Sequence, residues 1–270
     1  MGAIKPQGEL DQRYLVQPVL KAMQVLQVIC EAAEPLSLDQ LVREAGLPKT
    51  TVFRYLKTLG STGLIEHVAE TDRYRPGLGL WRLSQASGPH EALKRICKPY
   101  MKRLRQRFNE TINLGVLSGG EVLYLDVLES ERSLRMQSTI GSTDLLHCTA
   151  LGKVLLAFST PERRATLILK TLPARTPNTI TDHTTLVEQL GIIRTTGYAI
   201  ETGENEEGSY CLAAPICDGR NVAIAALSLS APISRYDDGA RQAICAGLIS
   251  ATSEIGQALR GEAEHLANGA

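Results

Sequence analysis

The segment LSLDQLVREAGLPKTTVFRYLKTL, between Leu36 and Leu59, constrains this chain more than any other stretch. It reads as two short amphipathic helices joined by a tight turn. Ser37 is placed to cap the first helix, with Gln40 at the reciprocal position of a capping box. Leu38, Leu41, Val42 and Ala45 share one buried stripe by their spacing. Gly46 suits a left-handed C-cap, and Pro48 fits the first position of the next helix, where a missing N–H costs nothing. In that helix Val52, Tyr55, Leu56 and Leu59 form the inward face, while Thr50, Phe53, Arg54 and Lys57 fall on the opposite side. Lys49, Thr50 and Thr51 occupy its first turn. This is the form of a helix-turn-helix, whose second helix enters a DNA major groove, although a plain helical hairpin with a solvated basic face has the same pattern.

The flanks favour the first reading. Val19, Ala22, Met23, Leu26, Ile29 and Cys30 predict a longer amphipathic helix upstream, completing a three-helix core. Downstream, residues 64–68 and 73–75 are short strand-like runs around Glu70-Thr71-Asp72, a β-hairpin wing with Arg73 and Arg75 placed to meet phosphates. The chain has 270 residues and zero net charge, so its positive charge is local. Arg43, Lys49, Arg54 and Lys57 outnumber the acids Asp39 and Glu44 within the two helices, which implies site-directed, salt-sensitive DNA binding. A second basic run, from Lys94 to Arg107, is spread around every face of a later helix and reads as solvated surface.

A connector beginning at Gly77 and containing Trp81 leads to a helix over 90–108. Strands are then predicted at 112–117, 121–128 and 134–137, with Ser118-Gly119-Gly120 as a turn. Helices follow at 149–158, at 161–170 capped by Thr160, and at 184–196 capped by Asp182. Strands return at 198–201, 211–217 and 222–230, before a closing helix over 238–259. Strands gathered around a helical middle give an α+β class with a largely antiparallel sheet, of the ligand-sensing GAF or PAS type. The expected division is a tail (1–14), a winged helix-turn-helix domain (15–77), a linker helix (78–90), an α/β effector-binding domain (91–261) and a second tail (262–270).

Six cysteines form no CxxC pair and no metal-ligand spacing with histidine. Neither a signal peptide nor a bilayer-length apolar run is present, so a reducing cytoplasm is the expected location. Gly152-Lys153 lacks the earlier glycine of a phosphate loop; His147 stands there. An enzyme remains the alternative, with His147, Cys148 and Cys211 beside Glu201 or Glu204 as a thiol nucleophile set or a metal site.

From Leu15 to Gly261 the chain resembles the IclR family of bacterial transcriptional regulators. The resemblance is carried by LPKTTVFRYLKTL, LLHCTALGKVLLA, ENEEGSYCLAAPICD and LSLSAPISR. It implies a winged helix-turn-helix that dimerises through its N-terminal domain and linker, further association to a tetramer, and a C-terminal domain that binds a small metabolite. No cofactor is implied. The implied effector residues are Met136, Gly141, Ser142, Ala150, Leu151, Gly152, Glu201, Cys211, Ser228 and Ser230. The chemistry suits a small organic acid. First-turn N–H groups near Thr149–Gly152 offer an anion site, and Ser228 and Ser230 share one face of a strand. Glu201 departs from a shorter aspartate usual in the family. A longer acid would repel an anionic ligand unless protonated or bridged, which leaves a hydroxyl-rich or cationic ligand open. Glu204 reads as structural, bonding loop backbone. Repression is the favoured sign of regulation, because it needs fewer additional contacts.

Overall fold

The computed structural model describes residues 15–84 and 88–268, and the chain divides into two compact units, Met1–Gly88 and Pro89–Ala270. The tail expected over residues 1–14 lies outside the described residues, as do residues 85–87 of the expected linker.

The first unit is built on α1 (Gln17–Glu31), β1 (Leu36–Ser37), α2 (Leu38–Ala45), α3 (Lys49–Ser61), β2 (Ile65–Val68), β3 (Arg73–Pro76) and α4 (Leu78–Ser84). The capping box at α2 forms in both directions. Ser37 Oγ accepts from Gln40 N at 3.3 Å, and Gln40 Oε1 accepts from Ser37 N at 2.9 Å. Gly46 closes α2 at φ 64°, a conformation a β-carbon disfavours. Pro48 sits at the N-cap of α3, one residue earlier than its fixed φ suggested. Val25, Leu26, Ile29, Leu41, Val52, Leu56 and Leu59 make the core.

The stripe predicted on α1 is therefore rotated. Val19, Met23 and Cys30 are exposed, because Val25 rather than Met23 meets the other helices. The wing forms as predicted, and a strand not anticipated, β1, pairs with β3 on its other side.

The second unit opens with α5 (Gly88–Phe108), followed by β4 (Thr111–Ser118), β5 (Glu121–Leu128), β6 (Thr143–Leu145), α6 (Ala150–Ala157), α7 (Pro161–Leu167) and α8 (His183–Thr196). It ends with β7 (Ala199–Thr202), β8 (Ser209–Cys217), β9 (Ala223–Pro232), a single 3-10 turn (Ile233–Arg235) and α9 (Asp238–Asn268). The six-stranded sheet has the order β6-β5-β4-β9-β8-β7, and each neighbouring pair is antiparallel. Leu93, Met101, Leu104, Leu248 and Ile255 of α5 and α9 pack on the face carrying Ile112, Leu114, Leu212 and Leu229. Val154, Leu155, Leu186 and Leu190 of α6 and α8 cover the other face, which carries Val122, Ala199, Ala213 and Ala226.

Residues 134–137 do not form the predicted strand; Thr143–Leu145 takes the sheet edge instead. The physical reason is that side chains, not a ladder, take the carbonyls there. Thr111 Oγ1 donates to Met136 O at 2.7 Å, and Arg235 Nη2 donates to Leu134 O. The helix predicted to 170 ends at Leu167, and the closing helix continues to Asn268 where a tail was expected. Basic residues on α5 are engaged as a solvated surface would have them, including Lys94 with Glu91, Lys98 with Asp126, Arg103 with Glu254 and Arg105 with Glu131.

Candidate functional site

Two sites emerge, one in each unit. On α3 the side chains of Thr50, Phe53, Arg54 and Lys57 are exposed, with Phe53 at 43% despite its size. Lys57 Nζ lies 5.3 Å from the Phe53 ring centroid, so the two cover one another on the outer face. Lys49 bonds Asp39 at 2.8 Å, but both groups are more than half exposed, and such a pair exchanges readily for another anion. Thr51 is half-buried. On the wing, Arg75 reaches Glu66 at 2.9 Å, whereas Arg73 donates to Pro35 O at 2.8 Å and braces the strand leading into α2.

The second site is a pocket, partly open to solvent, on the α6 side of the large sheet. Its floor follows from register. Thr111, Ser230, Cys211 and Glu201 are successive partners across β4, β9, β8 and β7, and Asn113 partners Ser228 one step along. Strand periodicity then puts all of these side chains on one face. Of the residues the sequence suggested, Met136, Ala150, Leu151, Glu201, Cys211, Ser228 and Ser230 line the pocket together.

Gly141, Ser142 and Gly152 are not among the lining residues, and each has another role. Gly141 N donates to Tyr124 O at 2.8 Å and Ser142 O accepts from Tyr124 N at 3.0 Å, so this pair holds the strand that carries Tyr124. A β-carbon on Gly152 would stand 2.3 Å from Leu146 O, so the glycine lets α6 press on the preceding backbone. Its N–H is also taken by the Thr149 cap at 3.1 Å. That leaves the first-turn amides of Ala150 and Leu151, which have no carbonyl within their own helix, at the pocket wall.

Glu201 lines the pocket as expected, but the backbone-bonding role expected of Glu204 also falls to it. Glu201, not Glu204, bonds the loop backbone. Its Oε1 accepts from Glu204 N and, at 3.2 Å, from Asn205 N, and Ser209 Oγ donates to both oxygens. Glu204 instead pairs with Lys153, whose side chain is fully buried. Lys153 Nζ donates to Glu204 Oε1 at 2.6 Å and to Ile200 O at 3.0 Å. Burial pushes both carboxyl groups up, with Lys153 opposing the shift. The Glu201 carboxyl oxygens are thus engaged by N–H and O–H groups of the protein itself.

Tyr124, Asp144, Asn205, Glu206 and Ser209 also line the pocket and were not anticipated. Tyr124 is buried on β5, and Asp144 accepts from its Oη at 2.9 Å; nothing local in the sequence pointed to Asp144. Asn113, beneath the serines, was missed for the same reason.

The thiol alternative fails on geometry and protonation. Burial pushes the Cys148 thiol up to about 12 and the Cys211 thiol well above the ordinary range, so neither supplies a thiolate. His147 Nε2 is engaged with Pro173 O at 3.0 Å, and burial lowers its proton affinity. Among the described residues no cluster of three His, Cys, Asp or Glu side chains could hold a metal ion. No helix among them is long and apolar enough to cross a membrane.

Comparison with known proteins finds matches to both units. Residues 18–69 match the model of the IclR helix-turn-helix domain, and residues 88–257 match that of the bacterial transcriptional regulator IclR C-terminal domain. The chain is 34% identical over 241 residues to the HTH-type transcriptional regulator KdgR of Dickeya chrysanthemi, covering 89% of this chain and 79% of that protein. It is 30% identical to the transcriptional repressor IclR of Escherichia coli strain K12, covering 89% of each. Among solved structures, an IclR homologue from Microbacterium hydrocarbonoxydans complexed with 4-hydroxybenzoate matches with a TM-score of 0.78 and 27% identity, over 90% of this chain and 99% of that one. With both units matched in this way, the chain belongs to the IclR family of bacterial transcriptional regulators, and it is a DNA-binding regulator rather than an enzyme.

Proposed function

We propose that this regulator binds a near-palindromic operator as a homodimer and releases it, as a repressor does, when a small organic acid occupies the pocket of the second unit. The observation that carries the effector reading is the convergence on one cavity of the α6 first-turn amides with the Ser228 and Ser230 hydroxyls, all suited to an anion. The 4-hydroxybenzoate bound by the Microbacterium homologue supports the same ligand class. Asp144, across the pocket, favours an acid that also carries a hydroxyl donor.

On the DNA side, Thr50, Thr51, Arg54 and Lys57 make most contacts in the major groove, with Phe53 against a thymine methyl. Lys49 and Arg75 contact phosphates after leaving their exposed carboxylate partners, while Arg73 supports the wing and reaches phosphate with the remainder of its guanidinium. The apolar side chains exposed at the N-cap of α1 (Val16), on α1 (Val19, Met23) and on α4 (Leu78, Trp81, Leu83) support self-association, which a tetramer would extend. Effector binding shifts the equilibrium between DNA-competent and incompetent arrangements by its difference in affinity for the two.

Nuclease footprinting of the region upstream of the protein's own gene and its neighbours, with and without 4-hydroxybenzoate and other small acids, tests this reading. A protected near-palindrome that is lost with one of the acids is expected. An acid that binds and increases protection would reverse the sign, and the absence of any protected sequence would sink the proposal.

A further inference from the structure

We infer that Asn113 sets the hydrogen-bond polarity of the pocket floor, committing Ser228 and Ser230 to donate to an oxygen acceptor on the bound effector. The inference rests on the reading of this cavity as an effector site, and it adds the residue that decides which ligands the floor admits. Asn113 lies on β4, 1% exposed, opposite Ser228 in the ladder and diagonal to Ser230. Its Nδ2 carries two hydrogens, and both are used. It donates to Ser228 Oγ at 3.2 Å and to Ser230 Oγ at 3.1 Å.

A serine hydroxyl has one proton and two acceptor positions. Each serine gives one acceptor position to Asn113, which turns its proton away from the amide and toward the cavity that both hydroxyls line. Ser230 has a second neighbour, Cys211 Sγ at 3.2 Å. Sulfur is a weak donor and a weak acceptor, so it does not hold the Ser230 proton against a ligand oxygen. The floor therefore offers O–H donors from alternate residues of one strand.

A carboxylate or carbonyl oxygen satisfies such a floor, whereas an ammonium group, with donors only, leaves donors facing donors. Asp144 and Glu206 in the walls carry negative charge that would attract a cation, so net charge alone would select the wrong ligand. Asn113 supplies the opposing selection. The Oδ1 end of the same amide is buried with no partner among the described residues, a cost an apolar side chain of similar size would avoid. Fold stability alone thus does not account for an asparagine here.

Calorimetric titration of the full-length protein with matched acids and amines tests the inference. The probes are 4-hydroxybenzoate against 4-hydroxybenzylamine and lactate against 1-amino-2-propanol, with wild type, Asn113→Asp and Asn113→Leu. Circular dichroism and operator binding without ligand report folding. Wild type should bind an acid and reject its amine. Asn113→Asp, which as a carboxylate accepts the serine protons, should weaken acid binding by about tenfold or more.

Asn113→Leu keeps the volume, removes the unpaired oxygen and should fold even where the aspartate variant fails. Its acid-over-amine preference should fall by about tenfold, because its serines are free to turn either way. A folded Asn113→Leu that keeps the wild-type preference would overturn the role of Asn113 and leave the effector reading intact. A wild-type protein that prefers an amine would overturn both the role of Asn113 and the organic-acid reading. A wild type that binds none of the acids or amines would bring down the effector reading and this inference together.

Discussion

Replacing Lys153 by methionine should be among the most damaging single changes in the second unit, and the structure says by how much. Lys153 is fully buried, and its ammonium holds Glu204 Oε1 at 2.6 Å and Ile200 O at 3.0 Å. Glu204 is itself buried, its Oε2 has no hydrogen-bond partner among the described residues, and the Glu201 carboxylate is close enough to raise its proton affinity further. Methionine fills the volume but strands that carboxylate, a loss of about 3–5 kcal/mol for a broken buried pair. In a unit of this size that corresponds to a drop in Tm on the order of 10 °C.

Burial already raises the Glu204 pKa in the folded protein, and loss of Lys153 raises it more. A raised carboxyl pKa contributes stability that is present in acid and lost as pH rises through the folded value. The deficit of the variant should therefore grow as pH rises and shrink as pH falls and the stranded group takes up a proton. Scanning calorimetry of the full chain at several pH values measures this directly. Adding Glu204→Leu to Lys153→Met should recover most of the loss, since removing both partners leaves no isolated charge. A single variant within about 1 kcal/mol of wild type, or a double variant no better than the single, would refute the account of a buried, mutually dependent pair.

Other consequences are open to simpler measurements. Arg54→Ala should weaken operator binding by about 1–3 kcal/mol and relax base preference at one position, as read by gel shift on substituted operators. An equal loss on all duplexes with a shallower salt slope would instead make Arg54 a phosphate contact. Ser228→Ala combined with Ser230→Ala should leave operator binding intact and abolish the effector response; a normal response would remove the serines from the site. Gly152→Ala should destabilise the second unit, because its new methyl would meet the Leu146 backbone at 2.3 Å rather than a movable side chain. An unchanged melting temperature for that variant would contradict the tight approach of α6.

Much of the first unit was legible from local order. Helix capping, the left-handed glycine and the 3.6-residue stripes act over three or four residues, and Ser37, Gln40, Gly46, Val52 and Leu56 do what their spacing implied. The orientation of α1 was less legible, because Met23 and Val25 are both apolar and only the packing of α1 on α2 and α3 decides which turns inward.

In the second unit the caps Thr160 and Asp182 and the alternation of Ser228 and Ser230 with Leu227 and Leu229 were again local signals. Segment 134–137 misled because a strand needs a neighbour with unpaired backbone, and side chains distant in sequence take its carbonyls.

By itself, then, the chain's order of residues determined most of the helices and strands, the caps of α2, α7 and α8, the outward basic face of α3 and the family to which the protein belongs. Tertiary structure alone decided which acid ties the loop and which meets Lys153, and it alone set Asn113 beneath two serines more than a hundred residues away. The reason is physical. Capping and periodicity are set by near neighbours, whereas burial and hydrogen-bond partnership across β4, β9, β8 and β7 depend on a register that exists only once the sheet has closed.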